Sequence, residues 1–226
     1  MKYTYYGHSS FGLEIAGRHL LFDPFISANP LAQAIHVETI PADFIFITHG
    51  HQDHIADAVA IARRTGAWVI SNYEIITWLA GQGVTHGHPL NHGGAKTFDF
   101  GRVRYVHAVH SSVLPDGTYG GNPGGFTLHT AEGGVYVSGD TALTYDIKLI
   151  GERSPVETAI LCIGDNFTMG AEDAATAATW AGAQRAIGVH YDTFPPIQID
   201  KQAARRSFEA AGVELLLPAI GETVAL

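Results

Sequence analysis

A single cysteine, Cys162, stands in a chain of 226 residues. One thiol closes no intramolecular disulfide, which fits a reducing compartment. Basic side chains are scarce as well. Thirteen Lys and Arg against 22 Asp and Glu leave a formal net charge of −9 with histidines neutral. A chain this acidic carries no broad electrostatic footprint for DNA or RNA. No window approaches the roughly 20 uninterrupted apolar residues of a membrane-spanning helix. The opening MKYTYYGHSSFGLEI lacks the apolar run of a secretory signal. Charged residues make up only 15% of the chain and hydrophobic ones 46%, a globular balance rather than a disordered one. The expectation is a soluble, cytoplasmic protein with residues 1–226 in one domain. Its partner is expected to be a small molecule rather than nucleic acid or membrane, with self-association left open. Two abundances call for explanation: 13 histidines and 26 glycines.

Strand signals come first along the chain. Residues 2–6 and 10–15 are rich in Tyr, Phe, Leu and Ile, and Ala16-Gly17 reads as a turn into HLLFDP. This predicts an antiparallel meander. Residues 26–38 read as a loop or short cap. DFIFIT (43–48) is a continuous apolar run, the pattern of a strand buried on both faces. From Ile55 the spacing turns helical until Gly66. WVIS (68–71) predicts a strand and NYEIITWLAGQG a helix closed by glycine. Residues 82–95 read as loop. Strands are expected near 97–109, 125–130 and 134–138, at TAILCI (158–163), at RAIGVH (185–190) and finally at VELLLP. Helices are expected at TYDIKLIGE, EDAATAATWAG and QIDKQAARRSFEAAG. Strands and helices mixed in one continuous stretch predict a layered α/β protein.

The polar residues lie in telling places. FIFIT runs into His49, VYVSG into Asp140, RAIGV into His190 and RVRYVHAV into His110. Strand ends are where α/β folds commonly place their sites. With His51, Asp53 and His54 from THGHQDH, the candidates number seven, too many for one tetrahedral zinc. They suit two ions. His49 and His51 can point the same way from an extended segment, and Asp53 and His54 can face a second ion from the turn that follows. Asp140 is placed to be shared. His19, His36, His107 and His129 read as surface or satisfied core residues. His86, His88 and His92 sit in a Gly- and Pro-containing loop without a carboxylate nearby and also read as non-functional.

THGHQDH resembles the HxHxDH signature of the metallo-β-lactamase superfamily. The rest of that pattern follows in order with His110 in AVHSS, Asp140 in SGDT and His190 in GVHYDTFPP. GHSSF (7–11), GGNPGGF (120–126) and GDNFTMG (164–170) are similar to a narrower group. That group comprises predicted metal-dependent hydrolases related to the ascorbate-phosphate lactonase branch. The resemblance implies a four-layer αββα sandwich. It assigns His49, His51 and His110 to one metal, Asp53, His54 and His190 to a second, and Asp140 to a bridge between them. His51 stands where flavodiiron oxygen reductases carry glutamate, and Asp140 where the commonest zinc β-lactamases carry cysteine. Redox and antibiotic-hydrolysing roles are therefore disfavoured.

The resemblance further implies a dinuclear hydrolase using a metal-bridging hydroxide on an ester-type bond, phosphodiester or lactone first. The cofactor is expected to be two divalent ions, zinc foremost, with manganese, iron or nickel also suited to His/Asp ligation. Asp53 is expected both to ligate and to act in catalysis. Supporting positions are His8 lining the site, Asp23 accepting from a ligand histidine, Asn166 and Thr168 on an oxyanion or phosphate, and Tyr191 as a hydroxyl donor. Residues 115–125, rich in glycine, read either as a lid or as a set of tight turns. Two competing readings are a non-catalytic metal-binding or sensing protein on the same fold and a nuclease.

Overall fold

A computed structural model describes all residues, 1–226. Two seven-stranded sheets pack face to face. The first contains β1 (Lys2–Gly7), β2 (Ser10–Ile15), β3 (Arg18–Phe22), β4 (Phe44–Phe46), β5 (Trp68–Asn72), β6 (Gly87–Leu90) and β14 (Thr223–Ala225), in the order β14-β1-β2-β3-β4-β5-β6. The second contains β7 (Ala95–Phe98), β8 (Gly101–His107), β9 (Gly124–Thr130), β10 (Gly133–Val137), β11 (Thr158–Cys162), β12 (Arg185–Val189) and β13 (Glu214–Leu216), in the order β13-β12-β11-β10-β9-β8-β7. Each sheet is antiparallel on one side and parallel on the other. Pairing switches at β3/β4 in the first sheet and at β10/β11 in the second.

Helices cover both outer faces. α1 (Gln52–Ile55), α2 (Ala58–Thr65) and α3 (Tyr73–Gly81) follow β4 and β5, while α4 (Asp146–Arg153), α5 (Ala171–Ala181) and α6 (Lys201–Ala210) belong to the second sheet. Their ends obey local chemistry. Asn72 caps α3 by accepting from the Ile75 N–H, and Asp200 caps α6 by accepting from the N–H groups of Gln202 and Ala203. α2 and α5 stop at Gly66 and Gly182, whose left-handed φ of 73° and 82° close the last turn at no Cβ cost. Three apolar clusters result: α2 and α3 on the first sheet, the two sheets on each other, and α4–α6 on the second sheet. This is the expected four-layer αββα sandwich.

The inter-sheet core is built on an aromatic ladder. Tyr3, Phe11, Phe22 and Phe46 sit on adjacent strands, with centroids 5.1, 4.6 and 4.6 Å apart. Phe126 of the opposite sheet meets Phe22 and Phe46 edge-on at 6.3 and 5.2 Å. Offset and edge-to-face pairs add to the burial of area.

Two strands depart from the sequence expectation. The segment 82–95, expected as loop, contains β6, paired in parallel with β5. It is an edge strand of four residues, where Pro89 can face away from the ladder, and it is too short to show alternation. The chain also continues past VELLLP to β14, which pairs with β1. Replacing Phe22 with Ala, which opens a gap in the ladder, is expected to cost about 3–5 kcal/mol. In urea unfolding, the midpoint should fall while the slope stays the same.

Candidate metal centre

In this topology β1, β3 and β4 run parallel to one another, as do β8, β10, β11 and β12, and their C-terminal ends meet at one edge of the sandwich. His8 follows β1, Asp23 follows β3, His49 follows β4, His110 follows β8, Asp140 follows β10 and His190 follows β12. Main-chain hydrogen bonds stitch the two sheets together here. The His190 N–H donates to the His8 carbonyl at 2.9 Å and the Gly124 N–H to the Thr48 carbonyl at 3.1 Å.

His51 caps α1 in extended conformation, so Asp53 and His54 lie in a first turn directly after it. Six residues of chain thus face two ways. His49, His51 and His110 converge as one set of three ligand atoms, and Asp53, His54 and His190 converge with His8 as another. Asp140 stands between them. Its Oδ2 lies 3.9 and 3.6 Å from Nε2 of His49 and His110, and 3.3 and 2.9 Å from Nε2 of His54 and His190. One carboxylate oxygen therefore faces ring nitrogens of both sets. His54 Nε2 and Asp140 Oδ1 are buried and have no hydrogen-bond partner. Neutral imidazole and carboxylate donors so arranged, with buried atoms unpaired, fit divalent cations.

A supporting shell holds these groups. Asp23 accepts from the Thr48 N–H and hydroxyl at 2.8 and 2.7 Å and from His54 Nδ1 at 2.9 Å. Its own loop is pinned by Ser10 of GHSSF, whose hydroxyl donates to the Asp23 carbonyl and accepts from the Phe25 N–H. His8 reaches Asp53 Oδ2 with Nε2 at 3.0 Å and the Thr193 hydroxyl with Nδ1 at 2.9 Å. The Thr141 hydroxyl accepts from the Val109 N–H, tying the loop of Asp140 to the loop of His110. At the end of β11 only glycine fits, because a Cβ on Gly164 would stand 2.1 Å from the His190 carbonyl oxygen. Strain collects here too. Of seven non-glycine residues with positive φ, all but Ala16 follow strand ends at this edge, His8 (55°), Asp23 (40°) and His190 (58°) among them.

Charge states follow from burial and pairing. Burial pushes His49 well below the ordinary histidine value and outweighs the pull of Asp140. His8 falls to about 4, burial dominating over its bond to Asp53. For His54, burial is opposed and outweighed by Asp140 and Asp23, so its value rises. Burial pushes Asp53 upward, but the His8 hydrogen bond and the charge of His54 reverse this and hold its carboxyl far below the usual range. Asp140 behaves likewise: burial raises it, and the charges of His190 and His54 win.

The remaining sequence candidates lie elsewhere. Tyr191 packs in the core against Tyr5, centroids 6.4 Å apart, with Lys201 Nζ 5.2 Å from its ring centre. Burial also pushes the Tyr191 phenol up to about 12. Asn166 and Thr168 sit on the turn between Gly164 and Gly170. Their hydrogen bonds stay within that turn, and neither joins the ligand cluster. The 115–125 stretch consists of tight turns: Val113 bridges Tyr119, and Asn72 and Trp78 donate to Gly120 and Asp116. Gly124 and Gly125 already belong to β9. Cys162 is fully buried in the core. Thr48, Ser111 and Thr193 also bond to the site's residues. Ser111 Oγ lies 3.3 Å from His51 Nε2. Their one sequence signal is adjacency to His49, His110 and the HYDT segment.

The profile of the beta-lactamase superfamily domain matches residues 2–190, ending on the last of the seven candidate ligands. The chain belongs to this superfamily. Relatives described as UPF0173 metal-dependent hydrolases occur in Flavobacterium johnsoniae, 49% identical over 226 residues, and in Methylacidiphilum infernorum, also 49% identical. Both comparisons cover 100% of each chain. Among solved structures, Igni18, described as a novel metallo hydrolase from the hyperthermophilic archaeon Ignicoccus hospitalis, superposes with a TM-score of 0.89 at 36% identity. The match covers 99% of this chain and 97% of that one. Within the superfamily the chain thus groups with metal-dependent hydrolases. No helix is long and apolar enough to cross a membrane.

Two outcomes are expected. Asp23→Ala removes the acceptor for His54 and should weaken metal binding by about 10–100-fold, read by competition with a chromophoric chelator. Because the raised value of His54 makes a cation compete with its proton, affinity should climb with pH throughout the range below that raised value, by roughly tenfold per unit for one proton displaced. The climb should level off above the raised value. Calorimetry in buffers of different ionisation enthalpy counts that proton.

Proposed function

We propose that this chain hydrolyses an ester-type bond of a small molecule, a phosphodiester or a lactone, at a dinuclear metal centre. The observation that carries this reading is the position of Asp140 Oδ2 between two sets of ring nitrogens. In it, His49, His51 and His110 would hold one cation, Asp53, His54 and His190 would hold the other, and Asp140 would serve both. Divalent cations held there would supply Lewis acidity toward the carbonyl or phosphoryl oxygen of the substrate and would acidify water.

The chain's own residues do the rest. Asp53 is the open carboxylate of the site, with its side chain 28% exposed against 3% for Asp140. His8 holds its Oδ2, which leaves Oδ1 free of protein partners. A carboxylate held this firmly ionised accepts a hydrogen bond from attacking water and orients it. His8, locked between Asp53 and Thr193, fixes that orientation. Asp23 keeps His54 in the tautomer whose Nε2 points inward. His110 and His51 are partly exposed and form the accessible side of the cluster, where substrate arrives.

The test is hydrolysis of bis(p-nitrophenyl) phosphate, simple lactones and thioesters by protein loaded with zinc or manganese, with and without chelator. Turnover on one ester class, abolished by chelator, is expected. Asp53→Asn should lower kcat by about 10²–10⁴-fold while His49, His51 and His110 still retain metal. Stoichiometric metal without turnover on any substrate would instead support a binding or sensing protein.

A further inference from the structure

A second concentration of cationic groups lies outside the metal centre. Along β8 and β9, Val103, Tyr105, Phe126 and Leu128 enter the inter-sheet core. The alternate residues therefore face outward, with Arg102 opposite His129 and Arg104 opposite Thr127. α4 forms the far wall and contributes Arg153. Together they bound a cavity of about 550 Å³ that includes none of the seven candidate metal ligands. That volume falls within the range of small-molecule sites.

The cavity's guanidinium groups lack carboxylate partners. Elsewhere, Arg18 is paired with Asp99 and Arg185 with Glu214. Arg102 and Arg153 form no ion pair, and Arg104 donates only to the Gly93 carbonyl. The one acid in the lining, Asp146, is engaged by His107 at 2.7 Å. His129 Nε2 is buried without a partner, so His129 is not the satisfied histidine its sequence context suggests. In the lining itself three guanidinium groups face one carboxylate; Glu157, near His129, is outside the lining and accepts from the Gly134 N–H. The remaining wall is apolar: Val106, Leu149 and Ile150.

We propose that this cavity binds an organic phosphate monoester. Its dianionic head lies between Arg102, Arg104 and Arg153, and its organic part lies against Val106, Leu149 and Ile150. Guanidinium forks match phosphate oxygens two at a time, and His129 Nε2 and the Thr127 hydroxyl supply further donors at the floor. The site is separate from the hydrolytic centre, although β8 runs from it to the loop that carries His110.

Calorimetric titration of the metal-loaded, full-length protein with phenyl phosphate and with inorganic phosphate tests this. Arg102 and Arg153 are exposed, so Arg102→Gln and Arg153→Gln should fold normally. Each should weaken phenyl phosphate binding by about tenfold with metal content unchanged. Inorganic phosphate should bind wild type more weakly than phenyl phosphate, because it leaves the apolar wall uncovered. His51→Ala, which disturbs only the metal centre, should leave the cavity's phenyl phosphate binding intact. An unchanged Kd in both arginine variants would overturn the assignment. So would loss of all binding in a folded His51→Ala protein, which would put the phosphate on the metals. If sedimentation shows the arginine variants altering oligomeric state while the Kd is unchanged, the face belongs to a contact between copies and the assignment falls.

Discussion

A carboxylate buried as deeply as that of Asp140 must have positive charge within a few ångströms. Removing one partner from a buried ionic group costs about 3–5 kcal/mol. No lysine or arginine reaches Asp140. Its neighbours within 4 Å are the imidazoles of His49, His54, His110 and His190. Those rings come from strand ends on both sheets and from α1, so the two sheets must meet at this edge in one registration. The constraint is met by direct ties between the sheets: His190 to His8 and Gly124 to Thr48. The supporting groups follow in turn. Asp23 holds His54, His8 holds Asp53, and Thr141 holds the approach to His110.

This arrangement is not locally relaxed. Residues such as His8, Asp23 and His190 adopt left-handed backbone geometry without being glycine, at a cost of about 1–3 kcal/mol each. The stabilisation that offsets this lies away from the site, in the Tyr3–Phe11–Phe22–Phe46 ladder and the helix-covered outer faces. The αββα body is thus a rigid frame whose surplus stability is used at one edge. There, burial and pairing also set the charge states, neutral for His49 and ionised for Asp53.

The core of the site was legible because its residue types are conspicuous. Histidine and aspartate at the ends of apolar strands have few bland explanations, and THGHQDH places four of them within one turn of chain. Asp23 was legible for the same reason, as an acid closing HLLF. Thr48, Ser111 and Thr193 were not, since a hydroxyl beside a ligand looks like any other surface hydroxyl until its partner is in place. Tyr191 misled in the opposite sense. It adjoins His190 in sequence, but its ring lies in the core beside Tyr5. Asn166 and Thr168 follow a strand at the right edge, yet their loop folds on itself. Short edge strands were the weak point for the fold. β6, with its proline, and β14, at the chain's end, lack the length on which periodicity depends.

What the amino-acid sequence determined by itself was the chemistry available: apolar strands of the right length, histidines and carboxylates at their ends, and too few basic residues for a nucleic-acid surface. These are properties of residue type and local spacing, carried wherever the segment goes. Tertiary structure alone decided which atoms face one another. It set Asp140 between two histidine sets, and it left Arg102, Arg104 and Arg153 around one cavity without ion-pair partners. Segments tens of residues apart become neighbours only when the strand order is fixed, and strand order is a consequence of how the whole chain buries its apolar faces.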